Sequence, residues 1–368
     1  MSHRYHIETN LVQIGNRKDP RTGAVSAPVY HTTAFHHSGI GESSGYDYSR
    51  TNNPTREILE NAIAKLEGGT RGFAFSSGMA AIHSLFSMFA PGDEILATLD
   101  LYGGTYRLFE QGWKQWGITF RYGDPRSLEG FEKLITDKTK ALFIETPTNP
   151  LMQEADIPAL AAMTKERNIL LIVDNTFYTP YLQQPLKMGA DIVIHSASKY
   201  LGGHNDVVAG LIVAEGEELC EKMGQWQNGM GAILSPTDSW LLMRGMKTLS
   251  LRMEKHTENA QKIAAYLEGH DKIIDVFYPG KGGMLSFKVQ KEEWVNPLLQ
   301  RLKLITFAES LGGVESFMTY PATQTHADVP EEVRLKNGVC NRLLRFSVGV
   351  EYAEDLIQDV DQALEKLQ

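Results

Sequence analysis

Cysteine is nearly absent from this sequence: Cys220 and Cys340 are the only two, far apart and without Cys-x-x-Cys spacing. That excludes a disulfide framework and a cysteine-based zinc site, and it fits a reducing, cytoplasmic setting. An excess of positive charge is also missing. The 36 Lys and Arg are outnumbered by 45 Asp and Glu, a formal charge of −9, so the chain lacks the basic footprint needed to bind a nucleic-acid backbone. No run of about 18 apolar residues occurs, and the opening MSHRYHIETN has no apolar stretch of signal-peptide type, so membrane spanning and secretion have no support. Internal repeats and low-complexity segments are lacking as well. What remains is an expected soluble chain of 368 residues, too long for one ordinary core and suited to one large and one smaller unit.

From Thr70 short β-rich runs alternate with amphipathic stretches: GFAF at 72–75, a helix from about Met79, EILAT at 94–98, a helix around 104–116 and ITFRY at 118–122. KALFIE at 140–145, a helix at 157–167, ILLIVD at 169–174 and DIVIHS at 191–196 continue the rhythm. Such alternation predicts a mostly parallel sheet covered on both faces. VVAGLIVA, 207–214, follows DIVIHS with no room for a helical crossover, so it is expected to pair antiparallel. Beyond SPTDSW two helices follow, the second leaving the large unit. DVFYP, GMLSFKV, ITFAES and LLRFSV then read as strands of a small α+β domain closed by a helix at 353–367. Residues 1–60, rich in Asn, Thr, Gly and Pro, read as an irregular arm or active-site cover.

Ligands of an open parallel sheet bind beyond the carboxyl ends of its strands. That rule selects Asp174 at the end of ILLIVD, Glu145 at the end of KALFIE, and Ser196, Ser198 and Lys199 after DIVIHS. Singly, Asp174 reads as a turn cap and Lys199 as a solvated charge; together they can converge on one ligand. In SSGMAA, 76–81, a strand passes through Ser-Gly into a helix whose first N–H groups suit a phosphate, or simply carry an N-cap. A phosphate cup, an amine and a carboxylate together outline a pyridoxal phosphate (PLP) site. The lysine forms the Schiff base, the carboxylate pairs with the pyridine nitrogen, and hydroxyls and amides hold the phosphate. Lysine suits the task because a primary amine forms the imine and, once displaced by substrate, is a base next to Cα. Tyr102 follows EILATLD, where its ring either stacks on the cofactor or packs ordinarily. Arg345 sits inside the apolar strand LLRFSV and needs a carboxylate partner, either the substrate's or a structural Asp or Glu. GIGESSG, 39–45, lacks the strand and third glycine of a dinucleotide fingerprint, and HTTAFHH, 31–37, lacks metal-binding helix spacing; both read as structural.

In SAPVYHTTAF, YDYSRTNNPTR, FSSGMAA, DLYGGTYR, ETPTNP, VDNTF, HSASKYLGGHND, GGMLSF, ESLGGVES and LLRFSVGVE, nearly end to end, the chain resembles the cystathionine gamma-synthase group of PLP enzymes of cysteine and methionine metabolism. The resemblance implies the aspartate aminotransferase-like fold (PLP transferase fold type I) and a homotetramer built from two dimers. It makes Lys199 the Schiff-base lysine, Asp174 the pyridinium partner and Tyr102 the stacking ring. Gly78, Met79, Ser196 and Ser198 hold the phosphate, and Tyr48 and Arg50 of YSR reach the phosphate of the neighbouring subunit. Asn149, Ser310 and Arg345 bind the substrate α-carboxylate region, with Glu309 and Arg107 near the distal end. Tyr48 and Tyr102 are implied to assist proton transfer. The implied units are an arm over 1–60, a PLP-binding domain over 61–248 and a small domain over 249–368. The implied reaction joins an O-acylhomoserine, the acetyl ester foremost, to cysteine or sulfide; cystathionine lyases and dedicated O-acetylhomoserine sulfhydrylases share the same cofactor site. Two departures stand out: Ser198 replaces the family's usual threonine, and YPGKGGMLSF shortens a segment after Pro279 that is longer in relatives.

Overall fold

The strand runs assemble into two sheets. In a computed structural model that describes residues 5–367, the larger sheet contains β1 (Arg71–Phe75), β2 (Glu94–Thr98), β3 (Thr119–Gly123), β4 (Thr139–Glu145), β5 (Leu170–Asp174), β6 (Ile192–Ser196) and β7 (Gly210–Ala214). Their order is β1-β7-β6-β5-β4-β2-β3. Strands β2 to β6 pair parallel, and β7 runs antiparallel to β6 and β1, as the helix-free connection requires. The strands read as unbroken apolar runs because both faces are covered. Phe143 and Ile172 pack with Phe86 of the helix Gly78–Phe86 on one side. Leu142, Leu171 and Val173 pack with Ile157 and Leu160 of the helix Ile157–Glu166 on the other.

The second sheet holds β8 (Ile273–Phe277), β9 (Met284–Val289), β10 (Thr306–Phe307), β11 (Phe317–Thr319) and β12 (Leu343–Ser347), in the order β10-β11-β12-β9-β8. The helix Leu249–Glu268 joins the two units. Its first half puts Leu249 and Met253 into the core of the large sheet, and its second half puts Ala260, Ile263 and Leu267 into the core of the small one. The chain closes with the helix Ala353–Glu365.

Three expectations are corrected. Residues 1–60 are not irregular throughout: a short helix covers Ile7–Val12, and Pro54 starts a helix that runs to Glu67. Asn53 caps that helix by accepting the Thr55 N–H at 3.0 Å, with Pro54 in the first turn where its missing N–H costs nothing. The stretch around 104–116 is not one helix. It divides into an α-turn (Gly103–Arg107), a π-turn (Leu108–Gly112) and a 3₁₀-turn (Trp113–Trp116), because Gly112 leaves the helical ladder at φ −96° and ψ −81°. ITFAES is a strand only over Thr306–Phe307, since the chain turns away into Ser310.

Candidate active site

The carboxyl ends of β4, β5 and β6 open into one cavity of about 190 Å³. Asp174 ends β5 and lines it. Its Oδ1 accepts the backbone N–H of Thr176 at 3.0 Å and the Thr176 hydroxyl at 2.5 Å, an Asx turn that fixes the carboxylate at the strand end. Burial pushes the Asp174 acid up from its ordinary range, while the two Thr176 hydrogen bonds and His195 pull it back. Thr176 also accepts the Ser196 N–H at 2.8 Å, so one threonine ties the ends of β5 and β6 together.

Opposite Asp174 lies the turn from β1 into the helix Gly78–Phe86. Ser77 spends its side chain on the cap, accepting the Ala80 N–H at 3.0 Å, and Gly78, Met79, Ser196 and Ser198 line the cavity beside it. A Cβ on Gly78 would stand 3.0 Å from Ser196 Cβ and 3.1 Å from its Oγ, so glycine lets the helix start and the serine lie close together, an arrangement suited to an anion. Ser198 Oγ accepts the Ala209 N–H at 2.9 Å, and its proton has only a 3.3 Å contact with the Ala209 carbonyl. That proton can turn to an anion, as a threonine's would.

Lys199 follows on the turn after β6, half-buried in the cavity, and donates from Nζ to Ser310 Oγ at 2.9 Å. Burial pushes its amine down to about 8, Arg345 acting in the same direction and Glu309 against it. Ser310 holds φ 126°, a conformation that costs a non-glycine residue about 1–3 kcal/mol. The strain aims its hydroxyl at Lys199 and its carbonyl at Arg345.

Arg345 comes from β12, 1% exposed. Its guanidinium donates to Asn149 Oδ1 at 2.9 Å, to the Ser310 carbonyl at 3.1 Å and to Thr319 Oγ1 at 3.2 Å, while Nε has no partner. Burial pushes it down to about 10, with Glu309 opposing. Among the described residues no carboxylate pairs with it, so the structural Asp or Glu that the sequence left open does not exist there. A buried cation held only by neutral oxygens has the chemistry to take a bound carboxylate.

Tyr102 leads into the turn Gly103–Arg107 and lines the cavity; a Cβ on Gly104 would stand 2.5 Å from Tyr102 Cε1, so the ring lies where a side chain would be. Burial raises the Tyr102 phenol, with Glu309 adding to the shift. Glu309 is exposed at the cavity mouth.

Three expected residues lie outside this cavity. Tyr48 is 47% exposed, Arg50 lies 5.6 Å from its ring centroid and donates to Asn228 Oδ1 at 2.7 Å, and Arg107 forms a 2.7 Å ion pair with Asp328. Arg56 anchors the segment that carries Tyr48 and Arg50 by donating to the carbonyls of Ser49, Arg50 and Thr51. In HTTAFHH, His31 pairs with Thr237 and His37 with Asp47. The shortened segment after Pro279 contributes nothing to the cavity lining; its Lys281 reaches Glu154 at 3.5 Å instead. Thr176 and Thr319 were missed from sequence, although Asp-x-Thr at a strand end in VDNTF is a legible turn signal. A larger hollow of about 1110 Å³, between the arm and the helix Pro54–Glu67, carries none of these groups.

The donor set fits PLP: N–H and hydroxyl donors suited to an anion, a half-buried amine of lowered pKa and a carboxylate at a strand end. The comparisons agree. A family model described as "Cys/Met metabolism PLP-dependent enzyme" matches residues 8–365. Over 359 residues the chain is 67% identical to the "cystathionine gamma-synthase/O-acetylhomoserine (thiol)-lyase" of Bacillus subtilis, covering 98% of this chain and 96% of that protein. It is 57% identical over 368 residues to a cystathionine gamma-synthase of Haemophilus influenzae, covering 100% of each. A crystal structure of cystathionine gamma-lyase from Lactobacillus plantarum complexed with L-serine matches at a TM-score of 0.96 and 45% identity, covering 99% of this chain and 100% of that one. The architecture is thus PLP transferase fold type I, a mixed sheet with a second, smaller sheet domain. With family-level similarity running the length of a chain whose strand ends carry a donor set that fits the cofactor, the protein belongs to the Cys/Met metabolism family of PLP-dependent enzymes.

Proposed function

We propose that this enzyme carries out γ-replacement on an O-acylhomoserine, O-acetyl-L-homoserine foremost. The thiol of L-cysteine takes the place of the acyl group to give L-cystathionine in methionine biosynthesis, with sulfide as a second nucleophile. The observation that carries the reading is the link between Lys199 and Arg345 through Ser310, which puts an amine of lowered pKa beside a carboxylate-ready guanidinium. The Bacillus subtilis relative's description supports the choice of reaction.

In this reading Lys199 would hold PLP covalently and Asp174 would pair with its ring nitrogen. The Gly78 and Met79 N–H groups with the Ser196 and Ser198 hydroxyls would take its phosphate, and Tyr102 would stack on its ring. When bound, PLP supplies an electron sink for a carbanion at the substrate α-carbon. Arg345, Asn149 and Ser310 fix the substrate carboxylate, which sets the Cα proton toward Lys199 Nζ. Lys199 Nζ, freed by the substrate amine, takes that proton and then moves one from Cβ. The acyl group leaves Cγ as its carboxylate, the thiol adds there with loss of its proton, and the protons taken from Cβ and Cα are returned to those carbons. Tyr102 and Tyr48 assist proton transfer. Glu309 and Arg107 serve the distal end of the substrate, which requires Arg107 to give up its ion pair with Asp328.

The test is product identification. The protein loaded with PLP is given O-acetylhomoserine with cysteine, O-acetylhomoserine with sulfide, and cystathionine alone. Cystathionine from the first mixture is the expected dominant product. The gamma-lyase neighbour favours a second reading, a cystathionine beta- or gamma-lyase. Faster breakdown of cystathionine than its formation would establish that reading in place of synthesis, and homocysteine formed to the exclusion of cystathionine would point to a dedicated sulfhydrylase.

We further infer a cytoplasmic homotetramer built from two dimers, with an arm over 1–60, a PLP-binding domain over 61–248 and a small domain over 249–368. Tyr48 and Arg50 would complete the phosphate site of the neighbouring subunit, which accounts for their exposure in a single chain. Among the described residues no helix is long and apolar enough to cross a membrane. Mixing a Lys199→Ala protein with an Arg50→Ala protein under conditions that reassort subunits tests the sharing. One site per mixed dimer then holds both intact residues, and random mixing restores roughly a quarter of wild-type activity. Activity no higher than that of the two variants kept apart contradicts a shared site.

A further inference from the structure

Glu145 stands at a strand end beside Asp174, yet neither the sequence pattern nor the family resemblance gives it a task. It ends β4 as the register partner of Asp174 on β5, so two acids lie side by side at the floor of the cavity. Glu145 is 7% exposed. Its Oε2 accepts the Tyr102 backbone N–H at 2.9 Å, at a turn that no side-chain cap supports. That bond ties the backbone of Tyr102 itself to the end of β4.

The charged and titratable groups facing Glu145 are Asp174, Asp100, Arg345 and Tyr102. Among the described residues no cation forms an ion pair with it, since Arg345 is spent on Asn149, Ser310 and Thr319. Two neighbouring buried acids do not both ionise readily, and the one with more donors keeps the charge. Asp174 has the backbone N–H and the hydroxyl of Thr176, whereas Glu145 has one backbone N–H. Burial pushes the Glu145 acid well above the carboxylate range, and Asp174 pushes it further.

We propose that Glu145 is a positioning residue that works as an uncharged carboxylic acid: it holds the Tyr102 turn and leaves Asp174 as the one negative charge facing the cofactor's ring nitrogen. The proposal rests on the roles given above to Asp174 and Tyr102. The residue serves by reach and hydrogen bonding; a charge on it would compete with Asp174 for the cofactor's ring nitrogen.

The experiment compares the full-length wild type with Glu145→Gln and Glu145→Ala. Infrared difference spectra of the cofactor-free proteins near neutral pH are expected to show a protonated-carboxyl band in the wild type that E145Q lacks. After loading with PLP, E145Q is expected to keep the wild-type dissociation constant for PLP and the induced circular dichroism of the bound cofactor. E145A is expected to bind PLP about tenfold more weakly, the size of one lost hydrogen bond, and to lose the dichroism. Absence of the carboxyl band in the wild type, or an E145Q as defective as E145A, overturns the proposal. Should E145A fail to fold, the infrared band and the E145Q constants still decide. A wild type that takes up no PLP sinks the proposed function instead, while the cofactor-free spectra still decide the charge of Glu145.

Discussion

Lys199→Ala is expected to lose covalent retention of PLP, seen as loss of the yellow absorbance after gel filtration, and to lower turnover by about 10³-fold or more. The lysine does two things that no neighbour can take over. Among the described residues its amine is the one lysine amine lining the cavity, and burial with Arg345 nearby has brought it down to about 8 from an ordinary 10.5, so it is more available as a nucleophile and base near neutral pH. General-base assistance alone is worth about 10²–10⁴, and the covalent attachment adds to that. Lys133→Ala, an exposed residue whose partner is Glu129, is the control and is expected to behave as wild type. An alanine variant at 199 that keeps both colour and turnover would remove the basis of the mechanism.

Arg345→Leu is expected to leave the bound cofactor's absorbance intact and to lower kcat/KM for the amino-acid substrate. Removing one partner of a desolvated, hydrogen-bonded charge pair costs about 2–5 kcal/mol, which is roughly 30- to several-thousand-fold. Arg345→Lys is expected to rescue little. The guanidinium reaches Asn149 with one nitrogen and Ser310 and Thr319 with the other, holding a planar fork that an ammonium cannot copy. Steady-state kinetics with varied O-acetylhomoserine decide the matter. An unchanged KM and kcat in the leucine variant would show that the substrate carboxylate binds elsewhere.

Both results depend on how strand ends and small-domain residues converge, and only part of that convergence was legible in the sequence. β4, β5 and β6 announced themselves as apolar runs buried on both faces, and their terminal residues Glu145, Asp174 and Ser196 line the cavity as the strand-end rule expects. The helix Pro54–Glu67 escaped notice because its buried side carries charge: Arg56 is 1%, Glu60 8% and Glu67 0% exposed. The two acids find partners far along the chain, Glu67 with His195 at 2.6 Å and Glu60 with the Ala74 N–H at 2.9 Å. No local periodicity can encode such pairings. The partner of Arg345 was undecidable for a similar reason, since spacing does not tell which acid faces β12. Ser310 combines both difficulties: its neighbours read as a strand, yet its positive φ is set by the groups it must reach. Tyr48, Arg50 and Arg107 came only from the resemblance, and the single chain holds them outside the cavity.

Every proposed step runs through Lys199 as the point of cofactor attachment. The most direct measurement is to reduce the PLP-loaded wild-type protein with borohydride, digest it, and locate the pyridoxyl group by peptide mass spectrometry. The label is expected on the peptide containing HSASKYLGGHND, at Lys199. A stoichiometric label on any other lysine, with Lys199 unmodified, would contradict it.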